Sequence, residues 1–260
     1  MIYPGIIGVG FVGDAIKHGL ESFGFKPALY DPFKIPSSKL IDIINTDLVF
    51  ICLPTPMDKN GDIDASIIDS IFHDLSLIQY KGVVVIKSTL RPDKGIELRN
   101  KYSSLRIIAN PEYLTERTAR QDFINSKWVV IGGNPIDLEP LLSLYGNIFP
   151  TIDQTVTSFE IALLVKYISN VLFATKVSLM NEFYQISMKL GMSWPDVVKA
   201  LIDPRIGSMH LQVPGPDGKF GFGGNCFIKD INAMIKLTEI LGTPNNVMNG
   251  AWDTNKIIRN

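Results

Sequence analysis

At 260 residues, with 25 Lys and Arg against 26 Asp and Glu, the chain is long enough for one large core or two modest ones and has a formal charge of −1. That balance gives no reason to expect nucleic acid or an anionic membrane surface as partner. The only cysteines, Cys52 and Cys226, lie far apart, which argues against a disulfide framework and for a reducing compartment.

The N-terminus lacks the basic, apolar and small-residue regions of a signal peptide, and no apolar run looks long enough to cross a bilayer, so a cytoplasmic protein is expected. Ile2–Val9 is a short apolar stretch that runs into Gly8-Val9-Gly10-Phe11-Val12-Gly13. Ala15, Ile16 and Leu20 then recur at helical spacing, and the pattern reads as strand, tight turn, helix. Gly8 suits the turn, Gly10 admits a pyrophosphate beside the backbone, and Gly13 lets helix pack on strand. A second apolar strand, Ala28–Tyr30, ends on Asp31. This is the acidic position that receives the ribose hydroxyls and repels a 2′-phosphate, so NAD is expected over NADP, with Lys34 close by. Asp31 could also serve simply as a cap for the turn before Pro32.

Further strands are legible at Asp47–Leu53, Gly82–Lys87, Leu105–Ala109 and Lys127–Ile131, separated by helical stretches. This alternation implies an α/β fold: a Rossmann-like, doubly wound, mostly parallel sheet with ligands at the carboxyl ends of the strands. Those ends carry Leu53-Pro54-Thr55-Pro56, Lys87-Ser88-Thr89 and Asn110-Pro111-Glu112-Tyr113-Leu114-Thr115-Glu116. Each could be ordinary turn chemistry, but three in succession at one edge suggest a site.

Beyond Thr151 the alternation stops, and Ser158–Leu190 reads as one long helix. The expected division is a dinucleotide-binding domain over 1–154 and a helical domain over 155–260. Lys166 and Asn170, four apart, share a face of the long helix in an otherwise apolar segment. For the lysine a structural ion pair, a solvent-reaching cation, and an acid, base or oxyanion donor are all open. Asn181 and Glu182 are expected to tie the helix to its neighbours. Ser193–Leu201 reads as a short helix with Ser193 as cap and Pro195 in its first turn. Arg205, in Asp203–Gly207, is a candidate grip for a substrate anion. Val213–Lys219 is a loop by composition, and a helix runs from Cys226 to Leu241. His18, His73 and His210 stand apart in sequence, and no metal is expected.

Gly221-Phe222-Gly223-Gly224-Asn225-Cys226-Phe227-Ile228-Lys229-Asp230 combines a flexible backbone, a thiol and two opposite charges. If a helix begins near Cys226, Asp230 shares its face, and the helix dipole and Lys229 both favour thiolate. The alternative is a glycine-rich turn with an inert buried cysteine.

Together these segments resemble the UDP-glucose/GDP-mannose dehydrogenase family, whose members oxidise the primary alcohol of a nucleotide sugar to a carboxylate, a step in polysaccharide biosynthesis. The resemblance implies that Cys226 is the nucleophile, that Lys166 and Asn170 hold the sugar and its developing oxyanion, and that Asp230 assists proton transfer. It places Thr89 and Glu116 near water and nicotinamide, with Glu112 in the same pocket. Gly8, Gly10, Phe11, Val12, Gly13, Asp31, Lys34, Thr55, Ser88 and Lys229 would lie along the cofactor. Glu112, Tyr113, Leu114, Arg205, Phe220, Gly221, Phe222 and Gly223 would line the sugar site, with Arg205 reaching across a homodimer. The family also has a third, nucleotide-type domain for which this length leaves no room. Departures fall at Ser88–Gly95, at Leu163 where an acid is usual, and at Ile228 in place of a common proline. A one-step β-hydroxyacid dehydrogenase, or a dinucleotide-binding protein without turnover, are the competing expectations.

Overall fold

The computed structural model describes residues 2–259, apart from the side chain of Asn225. The chain divides into two compact units, Met1–Pro56 with Asp64–Lys166, and Met57–Ile63 with Tyr167–Asn260.

The first unit alternates strand and helix: β1 (Pro4–Ile7), α1 (Phe11–Ser22), β2 (Ala28–Tyr30), a 3-10 turn at Leu40–Ile43, β3 (Leu48–Ile51) and β4 (Val83–Ile86), with α2 (Ser66–Leu77) before β4. It continues with α3 (Pro92–Lys101), β5 (Arg106–Ala109), α4 (Ala119–Ile124), β6 (Trp128–Gly132), α5 (Pro135–Ile148) and β7 (Asp153–Thr157). The strands form one sheet in the order β2-β1-β3-β4-β5-β6-β7. Every position of β1, β3 and β4 is buried, as unbroken apolar strands require when both faces of a parallel sheet are covered. Ile6, Phe50, Val83, Val85, Ile108 and Ile131 belong to one buried cluster, together with Leu141 and Tyr145 of α5. β1 has β2 on one side and β3 on the other, so the winding reverses there and opens a crevice beyond its carboxyl end.

Two features depart from the sequence expectation. β7 is an extra strand, parallel to β6, in a stretch where no strand is legible. Its residues, Asp-Gln-Thr-Val-Thr, are largely exposed at the sheet edge and carry no buried-strand signature. β6 itself runs antiparallel to β5. The reversal sets the start of β6 beside the segment leaving β5, where the rings of Tyr113 and Trp128 stand 4.4 Å apart.

The long helix α6 (Phe159–Lys189) begins in the first unit and continues in the second. By length and composition it is long and apolar enough to cross a membrane, which corrects the expectation that no such segment exists. Its polar residues Lys166, Asn170, Ser178 and Asn181 are each buried.

The second unit adds α7 (Trp194–Ala200), α8 (Asn225–Leu241) and α9 (Asn246–Ile258). Pro195 sits in the first turn of α7 and Ser193 at its cap position, but without a capping side-chain bond. Ala174 of α6, Ile231 and Ile235 of α8, Ala251 of α9 and Phe222 form its main core. Asn181 and Glu182 do tie α6 to its neighbours: Asn181 Oδ1 accepts the Gly221 N–H at 3.1 Å, and Thr254 donates to Glu182 at 2.7 Å.

Candidate active-site groups

In the first unit the glycine turn follows β1 directly. Gly8 has φ +87°, a conformation that glycine adopts freely, and its N–H donates to Tyr30 O at 2.9 Å. A Cβ on Gly13 would stand 1.9 Å from Gly8 O, so the close packing of α1 on the turn demands hydrogen there. A Cβ on Gly10 would meet nothing within 4 Å, and Gly10 caps α1 without a side chain. The N-terminus of α1 is therefore uncrowded at Gly10 and lacks a side-chain cap, and a helix N-terminus of that kind suits a pyrophosphate. Phe11 is exposed and Val12 half-buried beside it.

Asp31 is buried and anchored: Oδ2 accepts the Val9 N–H at 2.7 Å, and Oδ1 accepts those of Phe33 and Lys34 at 3.0 Å. Burial raises its proton affinity, but the three amides and the Lys34 charge outweigh that and hold the carboxyl below its usual range. The Lys34 side chain is exposed. At the next strand ends Ser88 Oγ donates to Leu53 O at 2.7 Å and Ile51 O at 3.2 Å, while Thr55 Oγ1 donates to Thr89 O at 2.8 Å. These hydroxyls knit the loops after β3 and β4 into one ledge, with Thr89 half-buried on it.

Beyond β5, Glu112 is buried against Lys166. Its Oε1 lies 3.0 Å from the lysine Nζ, and its Oε2 accepts the Leu114 N–H at 2.6 Å. Lys166 also stands 5.3 Å from the centre of the Tyr113 ring. Of the roles left open by sequence, a buried ion pair is what the structure shows for Lys166. Tyr113 Oη is buried without a hydrogen-bond partner, Leu114 is half-buried and Glu116 is exposed.

In the second unit Gly224 caps α8 with φ +73°, so Cys226 falls in the first helical turn, where the dipole favours an anion. Cys226 is exposed, unlike Cys52, whose thiol burial pushes up to about 12. Asp230, one turn after Cys226, is fully buried: Asn170 Nδ2 donates to its Oδ2 and Lys229 Nζ to its Oδ1, each at 2.5 Å. The Lys229 ammonium is thus engaged with a carboxylate. The glycine loop is clasped from behind. Besides Asn181, Asn255 Oδ1 accepts the Phe222 N–H at 2.7 Å, and Arg259 Nη1 donates to Phe220 O at 3.1 Å and Gly221 O at 3.2 Å. A Cβ on Gly221, at φ +67°, would stand 2.3 Å from Asn255 Oδ1, and one on Gly223 would meet the Arg259 guanidinium. Phe222 is buried and Phe220 partly exposed. Arg205 is highly exposed and held bidentately by Asp203, with contacts of 2.6–3.1 Å.

Sequence reasoning missed two contributors, Asn255 and Arg259, which give no signal in an ordinary amphipathic helix end.

A dinucleotide-type α/β unit followed by a helical unit that presents a thiol and a buried carboxylate defines a class of cofactor-dependent oxidoreductase folds. The comparisons with known proteins narrow it. Residues 31–148 match the NAD binding domain of the UDP-glucose/GDP-mannose dehydrogenase family, and residues 160–257 match its central domain. The chain belongs to this family. A UDP-glucose 6-dehydrogenase from Rickettsia felis is 34% identical over 209 residues, covering 76% of this chain and 45% of that protein. One from Rickettsia prowazekii is 33% identical over 235 residues, covering 86% and 50%. The solved structure of a UDP-glucose dehydrogenase from Pyrobaculum islandicum superposes with a TM-score of 0.88 at 25% identity, covering 99% of this chain and 68% of that one. The chain thus spans about half the length of the curated relatives it matches.

Proposed function

We propose that the chain carries out the NAD-dependent, two-step oxidation of the C6 alcohol of a nucleotide sugar, UDP-glucose, to the carboxylate. NAD would supply the hydride acceptor, one molecule for each of the two oxidations, and the uncrowded Gly10 at the N-terminus of α1 and the anchored Asp31 fit it. Lys166, a desolvated cation, stabilises the alkoxide as charge develops, and Asn170 orients the sugar. The Cys226 thiolate adds to the aldehyde carbon to give a thiohemiacetal. Loss of the second hydride leaves a thioester, and water cleaves it to release the carboxylate and restore the thiol. Glu116 or Asp230 takes the proton from that water, with Thr89 helping to place it. Glu112 fixes Lys166, Arg205 meets the substrate anion, and Tyr113, Leu114 and Phe220–Gly223 line the sugar. We also assign the protein to the cytoplasm and to a homodimer.

The observation that carries this reading is the exposed Cys226 in the first turn of α8, one turn ahead of the buried Asp230 and behind a loop clasped by Asn181 and Asn255. A one-step alcohol dehydrogenase has no use for such a thiol. The test is NADH formed per UDP-glucose consumed. Two equivalents with the native chain are expected, and Cys226→Ser should abolish acid formation while leaving NAD binding intact. One equivalent, or a serine variant that makes acid at the native rate, overturns the proposal.

A further inference from the structure

Phe33 is the most exposed large apolar side chain among the described residues, with 94% of its surface open to solvent. Phe23, itself partly exposed, still meets the Phe149 ring edge-on at 5.7 Å, whereas Phe33 meets no other ring among the described residues. A lone exposed ring is ordinary on a protein surface, and what singles this one out is its mounting. The Phe33 N–H donates to Asp31 Oδ1 at 3.0 Å, as does that of Lys34, and Pro32 restricts the one backbone step between carboxylate and ring. The Ile35 N–H closes the turn on Asp31 O at 2.8 Å. Ser38 Oγ accepts the Asp31 N–H at 3.1 Å and donates to Ile35 O at 2.7 Å. A ring that adds nothing to the core is thus carried on a closely bonded turn.

Position gives that ring a use. Asp31 follows β2, which pairs with β1, and its Oδ2 accepts the Val9 N–H of the glycine turn at 2.7 Å. One carboxylate therefore joins the turn suited to a pyrophosphate to the turn that carries Phe33. A carboxylate at this place in the fold receives ribose hydroxyls. In the adenosine half of a dinucleotide the base is attached to C1′, the carbon bonded to the one that bears the 2′-hydroxyl. A flat aromatic base thus follows directly from the hydroxyl that Asp31 suits, and the uncovered ring stands two residues from that carboxylate. We propose that Phe33 is the stacking contact for the adenine base of NAD and gives the site its hold on the adenosine half of the cofactor. The turn holds the backbone of Phe33 in place before the ligand arrives, so little backbone freedom is lost on binding. Ring and base both leave water when they stack, and the contact asks only for a π-face. Discrimination against a 2′-phosphate stays with Asp31. The proposal rests on the NAD site described above and not on the sugar chemistry.

The experiment measures binding of NAD, and of ADP-ribose, which keeps the adenosine half and lacks nicotinamide, to the native chain and to Phe33→Ala by titration calorimetry. Loss of the ring should weaken both ligands by a similar factor, about fivefold to a hundredfold, the range for one base–aromatic contact. Because the ring is exposed, the urea midpoint of Phe33→Ala should match the native one, which separates a lost contact from a damaged fold. Phe33→Trp keeps a stacking face. It should hold native affinity, and its added indole emission should be quenched on saturation with ADP-ribose. Native affinity in Phe33→Ala, or an added indole that ignores both ligands, overturns the proposal while leaving the NAD site standing. An added indole whose emission changes with protein concentration in the absence of nucleotide also overturns it, because a second copy of the chain then covers the ring. A native chain that binds neither ligand fails the NAD site itself, and the stacking contact with it.

Discussion

Three main-chain amides converge on the Asp31 carboxylate, two from the turn that follows it and one from Val9 in the glycine turn. That convergence gives Asp31 a structural part besides its proposed ribose contact, because it ties the end of β2 to the glycine turn after β1. Asp31→Ala leaves three donors without an anion. The expected loss is roughly 2–3 kcal/mol in urea unfolding near neutral pH, the range for hydrogen bonds to a charged group. The pH dependence has a definite sign. The folded pKa of Asp31 is depressed, so its stabilisation is present above the unfolded value of 3.8 and lost as pH falls through the folded one. The gap between native chain and variant should therefore narrow steadily below pH 4. A constant gap down to pH 2 would show that packing, and not charge, is what Asp31 supplies.

At the scale of elements, α6 poses the clearest physical problem. Ile161, Leu164, Ile168, Leu172, Leu179, Phe183 and Ile186 of α6 are exposed at steps of three, four and seven and fall on one face of the helix, with Leu190 exposed just past its end. An apolar face of this length needs cover, and in the homodimer proposed above a second copy of the chain would provide a matching stripe by two-fold symmetry. Leu172→Glu combined with Leu179→Glu should convert a dimer to a monomer by light scattering, weakening association about a hundredfold or more, with NAD binding unchanged. If the native chain is already a monomer at micromolar concentration, the assignment of this stripe to self-association fails.

How much of this was legible depended on whether the governing contact was local. The glycine turn with Asp31 and the buried runs of β3 and β4 could be read because turn chemistry and two-sided burial are written in consecutive residues. So could the Cys226 and Asp230 spacing, which helical geometry fixes. β7 could not be read, since a polar edge strand is recognised only by its partner, and the reversal of β6 could not, since apolar periodicity has no direction. The same limit applied inside the candidate site. Lys166 was legible as a buried polar residue, but its pairing with Glu112, and the clasp of the glycine loop by Asn255 and Arg259, depend on segments remote in sequence.

Over the whole molecule, the chain has two compact units, each with its own core, and the residues suited to the dinucleotide phosphates and ribose all belong to the first. Linkage then dictates where a cofactor acts on stability: ligand bound only by the folded form stabilises the unit that holds it, by about 2.7 kcal/mol at a hundredfold excess over Kd. Scanning calorimetry with increasing NAD should therefore raise the unfolding transition that carries the β1–α1 turn. Gly13→Ala supplies the control, because its methyl would stand 1.9 Å from Gly8 O and must force α1 away from the turn. The variant should lose roughly 1–3 kcal/mol from overpacking and also lose the NAD-dependent shift. A variant that is destabilised but still shifts with NAD would place the phosphates elsewhere. A native chain whose melting ignores NAD at millimolar concentration would count against the nucleotide reading of the whole first unit.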